Sequence, residues 1–247
     1  MRALLRQLAA AFRFLTRLPF PGPAAGSGDM GRALAFFPLP GLVLGALAAG
    51  VAWPLAPRLG PGVLAALLVA LLAWLTGGLH LDGLADVADG LGGGHGDRAR
   101  TLAIMRDSRI GAFGAAALGV ALVVKFSALE SLLARGPAAW ALLCAPTLAR
   151  GLAVPLVVLF PYARPEGLGR AFHDGGGARE LAVALALTAL TLAGFGVRVL
   201  LPAAAAVVAA VGLALTVRRR LGGLTGDVYG AAIELAEVGF LVVASAC

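Results

Sequence analysis

The stretch 77–97 reads GGLHLDGLADVADGLGGGHGD and spaces Asp82, Asp86 and Asp89 at i, i+4 and i+7. On a helix these three carboxylates form one stripe. Like charges on one stripe repel, and each costs more where a membrane excludes water. A bound cation would relieve both. Hard oxygen ligands without a cysteine or clustered histidines suit Mg2+ rather than zinc. Mg2+ in turn commonly bridges carboxylates to phosphate oxygens. Asp82, Asp86 and Asp89 are therefore the candidate metal ligands and catalytic carboxylates; the plainer alternative is a solvated loop face between two apolar segments. Glycines at 77, 78, 83, 90 and 92–94 allow close backbone approach to a ligand. They serve tight turns equally, and no GK[ST] follows that would make a Walker loop.

Two more polar blocks extend the candidate site. In 104–111, Arg106 and Arg109 are placed to clamp phosphate oxygens, with Asp107 and Ser108 between them. Topology alone would also put arginines at this helix end. In 221–237, Asp227, Glu234 and Glu237 share a broad helical face that dips into apolar sequence. Intramembrane carboxylates are functional candidates by default, so Glu234 and Glu237 are read as extending the substrate site below Asp227. Lys125, Glu130 and Arg150 are the other charges in apolar runs; for Glu130 the expectation is structural pairing with one of the two cations. His80 lies beside the stripe at a different angle and is a candidate substrate contact. His95 and His173 receive no role.

The elements that must hold these residues are membrane helices. Of 247 residues, 60% are hydrophobic and only 13% charged, about half the soluble average of roughly 25%. That excludes an ordinary soluble enzyme, a disordered chain and a disulfide scaffold. Cys144 and Cys247 both sit in apolar runs, so no disulfide or zinc site is expected. Apolar runs near 34–54, 61–79, 112–133, 138–160, 181–197, 199–217 and 228–246 predict about seven transmembrane helices in an all-α integral membrane protein. Ahead of them, Arg2, Arg6, Arg13 and Arg17 fall on one face of residues 1–20, with Leu4, Leu5, Leu8, Phe12 and Leu15 opposite. This predicts an amphipathic helix lying on an anionic membrane surface. The arginines recur instead of preceding an apolar core, which favours that helix over a cleaved signal. No internal repeat or linker divides the chain, so 1–247 reads as one catalytic domain.

Arginine placement orients the spans. The N-terminal segment and every second loop carry fifteen arginines: 2, 6, 13, 17, 32, 98, 100, 106, 109, 164, 170, 179 and 218–220. The opposite side carries three, Arg58, Arg135 and Arg198. The positive-inside rule makes the first side cytoplasmic and leaves the C-terminus outside. Every acidic residue outside the spans falls on the cytoplasmic side. The net charge of +7 thus reads as topology and phosphate handling, not as nucleic-acid binding.

GGLHLDGLADVADG, IMRDSRIGAFG and LGGLTGDVYGAAIELAE, in that order, resemble the adenosylcobinamide-GDP ribazoletransferases, also called cobalamin synthases. The segment FLTRLPFP, Phe14–Pro21, is similar to that family's N-terminus, so the resemblance covers almost the whole chain. It implies a Mg2+-dependent enzyme of the prokaryotic inner membrane that joins adenosylcobinamide-GDP to α-ribazole or α-ribazole 5′-phosphate. The products would be adenosylcobalamin or its 5′-phosphate, and GMP. Such chemistry fits the residues: Asp82, Asp86 and Asp89 would hold Mg2+ against the pyrophosphate and Arg106 and Arg109 would neutralise it. Which carboxylate takes the hydroxyl proton stays open, as does a homo-oligomeric state. Asp86-Val-Ala-Asp89-Gly90 also matches the opening of the CDP-alcohol phosphotransferase motif, but Gly93-Gly94 stands where that motif needs Ala-Arg. A lipid phosphotransferase and a membrane transporter are the competing expectations.

Overall fold

A computed structural model describes residues 2–26 and 28–247. Met1, the first residue of the expected interfacial segment, lies outside them. The described chain is helical, with one isolated bridge between Tyr162 and Leu224. In chain order the helices are α1 (Arg2–Leu15), α2 (Asp29–Ala33), α3 (Pro38–Leu55), α4 (Pro61–Thr76), α5 (Leu79–Gly93) and α6 (Arg98–Ile104). Then follow α7 (Ala112–Ala134), α8 (Ala139–Leu159), α9 (Leu168–Gly175), α10 (Ala178–Ala193), α11 (Leu200–Leu221) and α12 (Gly226–Ala246). Short 3-10 turns precede α3 and α11.

Apolar sequence in lipid must satisfy its own backbone, which a helix does within one segment. Five helical stretches are long and apolar enough to span: Pro38–Leu55, Ala112–Ala134, Ala139–Leu159, Gly196–Leu221 and Gly226–Ala246. Two bent pairs bring the number to seven if each is one span: α4 with α5, turned by 89°, and α9 with α10, turned by 105°. The expectation of about seven spans therefore holds, with two of them broken. Leu190, Val120, Val123 and Val208 are exposed along α10, α7 and α11. Lipid is the solvent that suits such surfaces.

The spans expected at 181–197 and 199–217 are present as α10 and α11, and Arg198 in the turn between them lies 5.0 Å over the Trp140 ring. α8 and α12 form the buried centre, and α3 crosses α8 closely because Gly41 and Gly45 lie against the Pro146 and Leu142 carbonyls.

α1 is amphipathic as expected, but it ends at Leu15 rather than near residue 20. Thr16 turns its hydroxyl back to the Phe12 carbonyl (2.8 Å), and the Arg17 amide donates to Leu75 O (2.7 Å). Arg17 is thus tied to the end of α4 instead of continuing the arginine face. Leu4 and Leu5 are exposed, whereas Ala9–Phe12 and Leu15 are buried against the bundle.

Candidate active site

Two consecutive left-handed glycines separate α4 from α5. Gly77 has φ 65° and Gly78 φ 75°, a conformation that side chains with a Cβ resist. A Cβ at Gly77 would also stand 2.5 Å from Arg17 Nε, so this break seats the Arg17 side chain. From here α5 runs back along α12. A Cβ at Gly83 would stand 2.6 Å from the Asp227 carbonyl, so the two backbones meet there. That contact brings Asp82 and Asp86 of α5 beside Asp227 at the start of α12.

Asp82 and Asp86 line an open cleft of about 590 Å3, together with Arg13, Arg17, Ser108 and Arg109. Three guanidinium groups thus share a cleft with two carboxylates, a layout that accepts a polyanion and a cation together. Asp227 is half-buried; Arg164 Nη1 lies 2.8 Å from its Oδ2 and the Thr225 hydroxyl donates to it at 3.2 Å. The surrounding loops are stitched by the backbone: Ala163 N donates to Leu224 O (2.7 Å) and Leu224 N to Pro161 O (2.8 Å). Arg98 bonds the carbonyls of Leu221 and Ala163 at 2.8 and 2.9 Å.

Asp89 is placed differently from its two neighbours. It is buried and accepts hydrogen bonds from Gly111 N (2.7 Å) and Gly114 N (2.8 Å) at the start of α7. The stripe does stay on one face of α5. At the height of Asp89, however, that face meets the N-terminus of α7, whose free amides attract a carboxylate. A side chain at Gly111 or Gly114 would collide with it, at 2.4 and 2.3 Å from its oxygens. Among the described residues no three His, Cys, Asp or Glu side chains converge to hold a metal ion. The expected three-carboxylate set is therefore not assembled; Asp82 and Asp86 are the pair that faces the cleft.

Arg109 lines the cleft while pairing with Asp107 at 2.7 Å; both are surface groups, and the guanidinium is 87% exposed. The Arg109 side chain and amide hold the Asp107 carboxyl down at about 2. Arg106 is exposed and does not line the cleft.

Glu234 and Glu237 correct the sequence reading. They do not open into the cleft but belong to a buried cluster. Lys125 bonds Glu234 and, at 2.8 Å, Glu237; Arg150 bonds the second oxygen of Glu237. Arg150 also reaches His80 Nδ1 at 3.4 Å. Both cations are consumed here, so the pairing expected for Glu130 does not form. Lys125 and Glu130 are five residues apart on α7 and point to different sides, Glu130 toward Gly62. His95 and His173 remain outside the cleft; His173 stacks on Tyr162. Cys144 and Cys247 are free thiols, as expected.

Sequence reasoning missed three cleft and rim residues. Arg13 and Arg17 were assigned to a membrane surface and Arg164 to topology. The signal for Arg17 lay in FLTRLPFP, which carries the resemblance but no motif of its own chemistry; Arg13 stands just ahead of that segment.

No solved structure matches the chain. The family described as cobalamin-5-phosphate synthase matches residues 7–245. A Pseudomonas paraeruginosa protein named adenosylcobinamide-GDP ribazoletransferase is 43% identical over 243 residues, covering 98% of each chain. Proteins of the same name from Syntrophobacter fumaroxidans (44%, covering 97% of this chain and 96% of the relative) and Ralstonia nicotianae (42%, 96% and 94%) are similar throughout. The matches run through α5, α7 and α12 alike, and the chain belongs to the cobalamin-5-phosphate synthase family.

Proposed function

We propose that the chain joins adenosylcobinamide-GDP to α-ribazole, or to its 5′-phosphate, and releases GMP. A ribazole hydroxyl attacks the phosphorus attached to the corrinoid side chain. The bond from that phosphorus to the bridging oxygen breaks, and the oxygen leaves with GMP. The observation that carries this reading is the cleft itself, where Asp82 and Asp86 face Arg13, Arg17 and Arg109. Arginines bind and orient the pyrophosphate and neutralise charge that builds on its oxygens. Ser108 supplies a hydroxyl to the same rim. Asp82 or Asp86 accepts the hydroxyl proton. The family and the names of its curated members support the same substrates. Neither the lipid phosphotransferase nor the transporter is favoured.

Mg2+ fits this donor set. Two carboxylates suffice, because Mg2+ is usually held by one or two of them plus substrate phosphates and water. Asp82 and Asp86 would hold it, with Asp227 within electrostatic reach of Asp86. When bound, it would draw charge from the phosphate oxygens. We place the cleft on the cytoplasmic face of the inner membrane, supported by the fifteen-to-three division of arginines.

The test is GMP release by purified protein in lipid nanodiscs. Release should require both substrates, stop with a chelator and return with Mg2+. No GMP, with a substrate accumulating in sealed vesicles instead, would overturn the reading.

A further inference from the structure

Behind the open cleft lies a second cavity of about 120 Å3, walled by α5, α8 and α12. It is smaller than the roughly 300–1,000 Å3 of drug-sized sites, a size that suits one flat ring system rather than a whole nucleotide. One wall is aromatic: the Phe14 and Phe172 rings lie 4.5 Å apart and the Phe37 and Phe172 rings 5.4 Å. Tyr229 and Ile233 line it from α12 and Ala153 from α8. Asp82 lines both this cavity and the cleft.

Two buried lining residues carry polar atoms without a partner, His80 Nε2 and Tyr229 Oη; the residues are 2% and 7% exposed. Orphaned buried polar atoms are rare and call for an explanation. Arg150 can only donate, so its contact with His80 makes Nδ1 the acceptor and leaves the proton on Nε2. The cavity is thus apolar and aromatic; two of its lining residues hold unused hydrogen-bond donors, and a carboxylate stands where it joins the cleft.

We propose that this cavity seats the aromatic base of the acceptor nucleoside; the inference rests on the reading above. A benzimidazole is planar and bicyclic and has no exocyclic donor. When ribosylated it keeps one ring nitrogen that can accept. One of the two orphan donors meets that nitrogen and the other a ribose hydroxyl. The reacting hydroxyl then emerges at Asp82, facing the pyrophosphate in the cleft. Guanine suits the cavity less, because its edge presents two kinds of N–H and needs acceptors, whereas His80 Nε2 can only donate. Asp227, the other carboxylate here, is already engaged by Arg164 and Thr225. A lipid chain would leave both donors unpaired.

The experiment uses the full chain in nanodiscs with Tyr229→Phe, which removes one oxygen, and Ala153→Met, which fills the cavity. The readouts are KM for each substrate and direct α-ribazole binding, followed by the base's own fluorescence without the nucleotide substrate. Tyr229→Phe should weaken α-ribazole binding and raise its KM about five- to ten-fold. KM for adenosylcobinamide-GDP should stay within about two-fold, the scatter of a surface change. Ala153→Met should shift preference from the dimethylbenzimidazole riboside toward the unsubstituted benzimidazole riboside. If Ala153→Met does not fold, Tyr229→Phe decides alone. A rise in KM for adenosylcobinamide-GDP alone would put the other substrate in the cavity and overturn the proposal. Unchanged α-ribazole binding, with or without a copurified lipid, would overturn it too. In that case a wild-type protein that still releases GMP keeps the proposed function intact. A wild type that releases none fails both.

Discussion

Lys125 offers the sharpest test of how the bundle is held. With Glu234, Glu237 and Arg150 it forms a cluster in which all four residues are 2–5% exposed. Two cations and two anions make the cluster neutral. Lys125→Met leaves one carboxylate in excess, and Glu234 loses the one cation bonded to it. Breaking a buried pair this way costs about 3–5 kcal/mol. At roughly 2–4 °C per kcal/mol for a chain of this size, the melting temperature should fall on the order of 10 °C. Lys125→Met combined with Glu234→Leu removes one charge of each sign and keeps Arg150 on Glu237. Neutral apolar replacement of a buried pair is often tolerated, so the double variant should melt well above Lys125→Met alone. Scanning fluorimetry of the purified, lipid-reconstituted variants measures this. If the double variant loses the sum of the two single losses, the groups are not partners and the charge argument is wrong. If Lys125→Met melts like wild type but releases no GMP, the glutamates belong to the reaction rather than to the frame.

Three further outcomes follow from the geometry. Asp82→Asn and Asp86→Asn should each lower GMP release by about 100-fold or more, the scale of losing one group that acts on developing charge, with melting unchanged. Asp89→Asn should instead lower the melting temperature, because one of two amide hydrogen bonds is lost at about 1–3 kcal/mol. Its Mg2+ concentration for half-maximal rate should match wild type; a raised value would return Asp89 to the metal site. Cys247 is exposed and Cys144 buried, so an impermeant maleimide should label intact spheroplasts and lose its target in Cys247→Ser. Labelling only after lysis would invert the proposed orientation.

The helices and most of the cleft were legible in the sequence because their signals are local. Apolar runs of span length need no tertiary information, and the i, i+4 spacing of Asp82 and Asp86 fixes a shared face on any helix. What was illegible depends on what stands opposite. Asp89 shares the face of Asp82, but the neighbour it meets is α7, twenty-two residues further along the chain. Glu234 and Glu237 have the spacing of a site extension, yet Lys125 and Arg150 reach them from α7 and α8. The broken span is a related case. Gly77-Gly78 reads as a turn, but its consequence, α5 running back along α12, depends on Gly83 having no side chain at the Asp227 carbonyl. Arg13 and Arg17 show the same limit: an arginine face suits a membrane surface or a polyanion equally.

The buried cluster and the cavity behind the cleft are joined through one side chain. Arg150 spends one nitrogen on Glu237 and turns another to His80 Nδ1. Because a guanidinium never accepts, the contact fixes which His80 nitrogen carries the proton. The neutral cluster therefore does more than tie α7, α8 and α12 together: it determines that the histidine beside Asp82 offers a donor, not an acceptor, on its free edge. A lysine at position 150 would preserve the charge balance but lose the forked geometry that reaches both partners at once. Charge scarcity in this chain thus works in a definite way. The four charges of Lys125, Arg150, Glu234 and Glu237 are paired to neutrality, and the hydrogen-bonding character they impose is passed one residue further, to the wall of the cavity that opens on Asp82.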